Sequence, residues 1–270
     1  MTRFRLDLAY DGTDFHGWAA QPGQRTVEGE LQHAIATALV CCGLPGSQAL
    51  VVAGRTDAGV HARAQVAHLD AEAESGDATR LASQIARLLP PDIALHRLLP
   101  APDGFDARFS ATGRTYCYRL WDATSPVDPI TRRNVTRLPM NLDTGAMAVA
   151  GASLVGLRDF AAFCRPREVG TSIRQLRRFD VSRVGGTIEC WLEADAFAHS
   201  MVRSLVGAVC EVGAARRDTD WLAHVAALPH RSGDVPVLPP GGLTLEAVTY
   251  PPDDQLAARA EQARQLRSLP

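Results

Sequence analysis

Residues 49–69 read Ala49-Leu50-Val51-Val52-Ala53-Gly54-Arg55-Thr56-Asp57-Ala58-Gly59-Val60-His61-Ala62-Arg63-Ala64-Gln65-Val66-Ala67-His68-Leu69. Residues 49–53 are a continuous apolar run and residues 65–69 carry apolar side chains at alternate positions, so two strands flank a loop bracketed by glycines. On the N-terminal side, Phe4, Leu6 and Leu8 alternate with polar residues into Tyr10, a strand that Asp11-Gly12 turns. Thr26 then opens a capping signal ahead of the helical run Leu31, Ile35, Leu39. On the C-terminal side a helix over 79–89 is stopped by Pro90-Pro91, and 93–98 reads as a strand. The order is β-α-β-β-α-β.

The second half repeats that order more loosely. Residues 115–121 are strand-like and 144–157 helical, while 173–184 and 187–194 form a hairpin about Gly185-Gly186. A strongly apolar helix over 201–212, a short helix over 221–228 and a last strand over 243–250 complete the chain. The pattern predicts an α+β protein (α/β mixed) of two ferredoxin-like β-α-β-β-α-β halves. The first, 1–105, carries the loop at 54–61. The second is 106–250, and a charge-balanced tail at 251–270 is expected to be peripheral. A cleft between the halves is the expected ligand site.

Composition narrows the chemistry. The 270 residues are 46% hydrophobic and 21% charged, as in an ordinary globular protein. Apolar runs are broken well short of the ~18 residues that a membrane span needs, and no basic-then-apolar leader is present, so a cytoplasmic protein is expected. Six cysteines without a CxxC pair read as reduced filler. All 28 basic residues are arginine, which excludes Schiff-base lysines and the P-loop fingerprint. The net charge of −2 is spread unevenly. Arg108, Arg114, Arg119, Arg132, Arg133 and Arg137 crowd one segment, and Arg165, Arg167, Arg174, Arg177 and Arg178 another. Solvated surfaces and local nucleic-acid faces both fit these clusters.

The loop at 54–61 is the most unusual segment. A carboxylate at Asp57, on a rigid base between two glycines, suits a nucleophile or a general base; an aspartate that merely caps a turn is the alternative. Asp11 and Asp14 with His16 form a turn sequence rather than a metal site. His61 and His68 read as packing or RNA contacts, and Trp18, Trp121, Trp191 and Trp221 as core.

The segment Gly54-Arg55-Thr56-Asp57-Ala58-Gly59-Val60-His61 resembles the signature loop of the tRNA pseudouridine synthase A family. Other segments agree with that family in order. They are Tyr10-Asp11-Gly12-Thr13-Asp14-Phe15-His16-Gly17-Trp18, Phe105-Asp106-Ala107-Arg108-Phe109-Ser110-Ala111-Thr112, Arg114-Thr115-Tyr116-Cys117-Tyr118, Phe197-Ala198-His199-Ser200-Met201-Val202-Arg203, and Gly242-Leu243 through Tyr250-Pro251. The absence of lysine, and Pro239-Pro240-Gly241 ahead of Gly242, depart from the family pattern at the surface.

The resemblance implies a pseudouridine synthase fold with a central antiparallel-rich sheet, and an isomerase without cofactor or metal. Its targets are uridines 38, 39 and 40 of the tRNA anticodon stem-loop, and it acts as a cytoplasmic homodimer away from membranes. It also implies roles. Asp57 is the catalytic carboxylate. Arg55 replaces the flipped base in its stack and Tyr116 stacks on the uracil, with Tyr118 placed to back it. Arg203, a cation in the first turn of an apolar helix, is expected to pair with an acid: Asp57 in the leading reading, Asp195 in the alternative. Arg108, Phe105 and Phe109, and Glu168 through Ser172, match stretches that contact RNA. A non-catalytic RNA-binding module on the same scaffold is the rival; a binding module has no need of a carboxylate facing anionic RNA.

Overall fold

The computed structural model describes residues 1–45, 49–165 and 171–264. They group into two units: residues 1–112 with the described part of Leu245–Gln265, and residues 113–244.

In the first unit the chain runs β1 (Thr2–Tyr10), α1 (Val27–Cys41), β2 (Val51–Val52), β3 (His61–Ala71), α2 (Ala78–Leu88) and β4 (Ile93–Pro100). Strand β1 is central, antiparallel to β3 with Leu6 opposite Ala67 and to β4 with Leu6 opposite Leu98. Strand β2 adds to the far side of β3, with Val52 opposite Ala67. The order β4-β1-β3-β2 is the ferredoxin-like arrangement that the sequence predicts. The alternating residues Phe4, Leu6, Leu8 and Tyr10 are buried. Helix α1 begins at Thr26, whose hydroxyl accepts the Gly29 N–H at 3.2 Å, and buries Val27, Leu31, Ala34, Ile35, Ala38 and Leu39 at helical spacing. Helix α2 does the same with Ala78, Leu81 and Ile85.

The second unit contains β5 (Gly113–Trp121), β6 (Thr136–Arg137), α3 (Thr144–Ser153), β7 (Gly156–Asp159), β8 (Ile173–Val184), β9 (Thr187–Ala194), α4 (Met201–Gly213) and α5 (Thr219–Ala226). Its strands lie in the order β5-β9-β8-β7, each pair antiparallel, with the short β6 parallel to β5. The hairpin β8-β9 has the residues expected from its alternation, with Gly185 at a φ of +58° in the turn. The helix expected over 144–157 stops at Ser153. Gly156 takes a φ of +130°, which a helix does not admit, and Gly156–Asp159 pairs with β8 instead.

The chain ends with β10 (Leu243–Thr249) and α6 (Leu256–Ala263). The unit boundaries differ from the expected 1–105, 106–250 and 251–270. Phe105, Ala107 and Leu256 share one hydrophobic core with Ala53 and Val66, so the first unit continues past 105 and regains the chain at 245. Buried Leu256 and Ala260 dock α6, and the Ser110 hydroxyl donates to the Leu256 carbonyl at 3.0 Å. The tail is thus a packed strap over its described length rather than a peripheral end.

Four cysteines, Cys117, Cys164, Cys190 and Cys210, are buried, and none of the six is in a disulfide. Trp18 and Trp121 are buried as expected, whereas Trp191 and Trp221 are partly exposed beside arginines.

Buried His68 accepts the Ala107 N–H on Nδ1 at 3.0 Å, which ties β3 to that shared core. Burial, with the Arg3 guanidinium nearby, holds its pKa below the ordinary histidine value. The unfolded chain therefore takes up this proton first as pH falls below about 6.5, and stability declines until the folded pKa is reached. Thermal melts from pH 7.5 to 5 are expected to show a loss that His68→Gln reduces, by up to about 1 kcal/mol per pH unit. Equal losses in the two chains contradict the assignment.

Candidate active site

The loop after β2 owes its shape to the backbone around it. Gly59 has a φ of +77°, the left-handed region open to glycine. The Val60 N–H donates to the Asp57 carbonyl at 3.1 Å, closing a four-residue turn under the carboxylate. The segment 10–18 clasps this turn. The Trp18 N–H donates to the Thr56 carbonyl at 3.0 Å, and the Gly59 N–H to the Phe15 carbonyl at 3.2 Å. The Gly12 N–H donates to buried His61 Nδ1 at 3.0 Å. Two motifs that are about forty residues apart in sequence are one structure, and buried His61 also lies 3.1 Å from the Asp11 carboxylate.

Below the loop lies a buried polar group that sequence reasoning missed. The Tyr10 hydroxyl is 2.8 Å from Thr56 Oγ1. Gln65 Nε2 donates to that hydroxyl at 3.1 Å and to the Gly54 carbonyl at 2.9 Å. Gln65 is fully buried, and a glutamine beside the apolar positions Val66, Ala67 and Leu69 was the available signal. Burial pushes the Tyr10 pKa up to about 12, so its hydroxyl stays protonated. The loop on both sides of Arg55 is thus fixed from beneath, with Arg55 exposed and Asp57 half-buried. Tyr10→Phe is expected to lower turnover by roughly 10- to 100-fold through a shifted loop, with a stability loss of about 1–3 kcal/mol from the unsatisfied partners. Steady-state kinetics beside a thermal melt check this, and unchanged turnover contradicts it.

Tyr116 and Arg203 lie on the second unit. Tyr116, on β5, is 8% exposed, and its ring meets Phe197 edge-on at 5.2 Å between centroids. Tyr118, two residues on, is fully buried. Its hydroxyl donates to the Pro239 carbonyl at 2.6 Å and lies 2.9 Å from Thr136 Oγ1, and burial raises its pKa. Arg203, in the first turn of α4, donates from Nε to the Leu238 carbonyl at 2.6 Å. Asp195, the alternative acid partner, accepts the N–H groups of Gln175 and Ala196 at 2.9 and 2.8 Å.

Of the expected RNA contacts, Phe105 is corrected. It is 1% exposed within the first unit's core, because the turn after it faces Phe105 inward and Arg108 outward. Arg108 is exposed and Phe109 half-buried. Asp106 shapes that turn by accepting the N–H groups of Arg108 and Phe109, each at 2.8 Å. The Ser172 hydroxyl donates to Asp159. Glu168 and Arg167 lie outside the described residues. Among the described residues no group of three or more histidine, cysteine or acidic side chains is arranged to hold a metal ion, and no helix is long and apolar enough to cross a membrane.

A family model described as tRNA pseudouridine synthase matches residues 150–251. The tRNA pseudouridine synthase A of Cutibacterium acnes is 52% identical over 99% of this chain and 96% of its own length. That of Frankia casuarinae is 49% identical over 100% and 97%, and that of Streptomyces griseus 48% identical over 99% and 95%.

Proposed function

The chain belongs to the tRNA pseudouridine synthase A family, and from that membership we propose that it isomerises uridines 38, 39 and 40 of the tRNA anticodon stem-loop to pseudouridine. The reaction breaks the bond from ribose C1′ to uracil N1, turns the base and joins C1′ to C5. The C5 proton leaves and N1 gains one, so nothing is oxidised or consumed. The observation that carries the reading is the Asp57 carboxylate on a turn locked by backbone hydrogen bonds from the 10–18 segment.

Asp57 is the essential carboxylate. Tyr116 supplies a ring for the uracil, and its edge contact with Phe197 supports a fixed orientation. Arg55, exposed beside Asp57, fills the place of the flipped base, a task suited to a planar cation. Arg203 is the substrate-side cation; its bond to Leu238 holds the guanidinium in place. Arg108, Phe109 and Ser172 belong to the surface that meets the RNA. The enzyme works in the cytoplasm as a homodimer, in which two modest arginine faces join along one phosphate backbone.

The test is tritium release from an anticodon stem-loop labelled at uracil C5. Release with retention of the ribose–base link, by this chain alone, supports the reading. Binding of the tRNA without release overturns it in favour of a non-catalytic RNA-binding module.

A further inference from the structure

Beside the turn at 105–110, the last helix brings a second arginine onto the same ring as the first. The guanidinium carbon of Arg108 lies 5.1 Å from the Phe109 ring centroid, and that of Arg264 lies 5.0 Å from it. Arg264 is 53% exposed at its side chain and stands 3.8 Å from Asp106 Oδ2. The other oxygen of that carboxylate accepts the two turn N–H groups. Arg108, Arg264 and Asp106 together carry one net positive charge, which favours an anionic ligand at this edge of the ring.

The cluster is built rather than incidental. Leu256 packs in the core with Phe105 and Ala107, and Ser110 holds the Leu256 carbonyl. A Cβ on Gly104 would stand 2.6 Å from the Ala257 Cβ, so the turn and the helix touch at van der Waals distance. The two arginines are therefore presented from segments about 150 residues apart in sequence on one rigid base. Ala53 belongs to the same core, and Asp57 is only four residues further on, at most about 14 Å of extended chain. The core that carries the two arginines is therefore also the one from which the 54–61 loop departs.

We propose that Arg264, with Arg108 and Phe109, forms a clamp for an RNA phosphodiester next to the target uridine, so that the C-terminal helix is part of the substrate-binding surface. This rests on the tRNA-isomerising reading above. Two forked guanidinia suit a phosphate's oxygens, and the Phe109 ring gives both of them a common support.

The test compares Arg264→Ala with Arg259→Ala, which removes an equal charge from the same helix away from the ring. Affinity for an anticodon stem-loop is measured from 50 to 200 mM salt, with tritium release and a thermal melt alongside. Arg264→Ala is expected to weaken binding roughly 5- to 10-fold at the lower salt. It is also expected to reduce the slope of log Kd against log salt by about 1 and to raise KM with kcat unchanged. Arg259→Ala is expected to change the slope by less than half as much. Equal effects from the two variants overturn the clamp in favour of general charge. A fall in melting temperature with an unchanged slope overturns it in favour of a merely structural strap. Absence of release by the unmodified chain overturns the isomerase reading itself, a result distinguishable from both.

Discussion

Asp57→Asn is expected to lose turnover by a factor on the order of 10⁴ or more, with melting temperature and tRNA affinity close to those of the unmodified chain. The two side chains have the same shape, so the change removes only the charge and the ability to form or break a covalent bond. The turn beneath the side chain is held by main-chain groups, Val60 to Asp57 and Trp18 to Thr56, which the substitution leaves alone. Affinity is preserved because most of the binding energy for a polyanion comes from its phosphates. Single-turnover tritium release beside a gel-shift titration measures both quantities. Turnover within tenfold of the unmodified chain contradicts Asp57 as the essential carboxylate.

The second large effect is expected at a residue with no side chain. A Cβ built on Gly12 stands 2.0 Å from the Val60 carbonyl oxygen and 2.5 Å from its carbon, well inside contact distance. Gly12→Ala must therefore drive the 10–18 segment and the 54–61 loop apart by about an ångström, since both contacts are main chain. The Gly12 bond to His61 Nδ1 breaks with the displacement. A loss of about 3 kcal/mol or more follows, or roughly 5–10 °C in the melting midpoint. Turnover falls by about 100-fold because the carboxylate moves with the loop. A melting midpoint within 2 °C of the unmodified chain, with normal turnover, contradicts the clasp.

What was legible in the sequence was whatever is settled within a few turns of chain. The β8-β9 hairpin was readable because its alternation and the Gly185-Gly186 pair are local, and α4 because an apolar run from Met201 is too long for a strand. Asp57 was readable because two glycines and two charged residues stand together where an apolar strand ends. Features that depend on distant packing were not. The helix over 144–157 was extended too far because Leu154 and Val155 continue the apolar pattern, whereas the pairing of β7 with β8 that ends it is tertiary. Phe105 looked like an RNA contact because the 105–109 segment resembles one that contacts RNA; its burial comes with Leu256, about 150 residues later. The group formed by Tyr10, Thr56 and Gln65 was hidden for the same reason, since three ordinary polar residues reveal their partnership only once β1 lies against β3.

The docking of α6 onto the first unit also sets a schedule for synthesis. A ribosome delivers this chain from its N-terminus, so residues 1–112 emerge with Ala53, Val66, Phe105 and Ala107 lacking the side chain of Leu256 that covers them. At about 5–20 residues per second, the helix that supplies it follows roughly seven to thirty seconds later. Through that interval the nascent half presents an apolar patch beside the 54–61 loop. The scaffold beneath the 54–61 loop becomes whole only once Leu256 has been made.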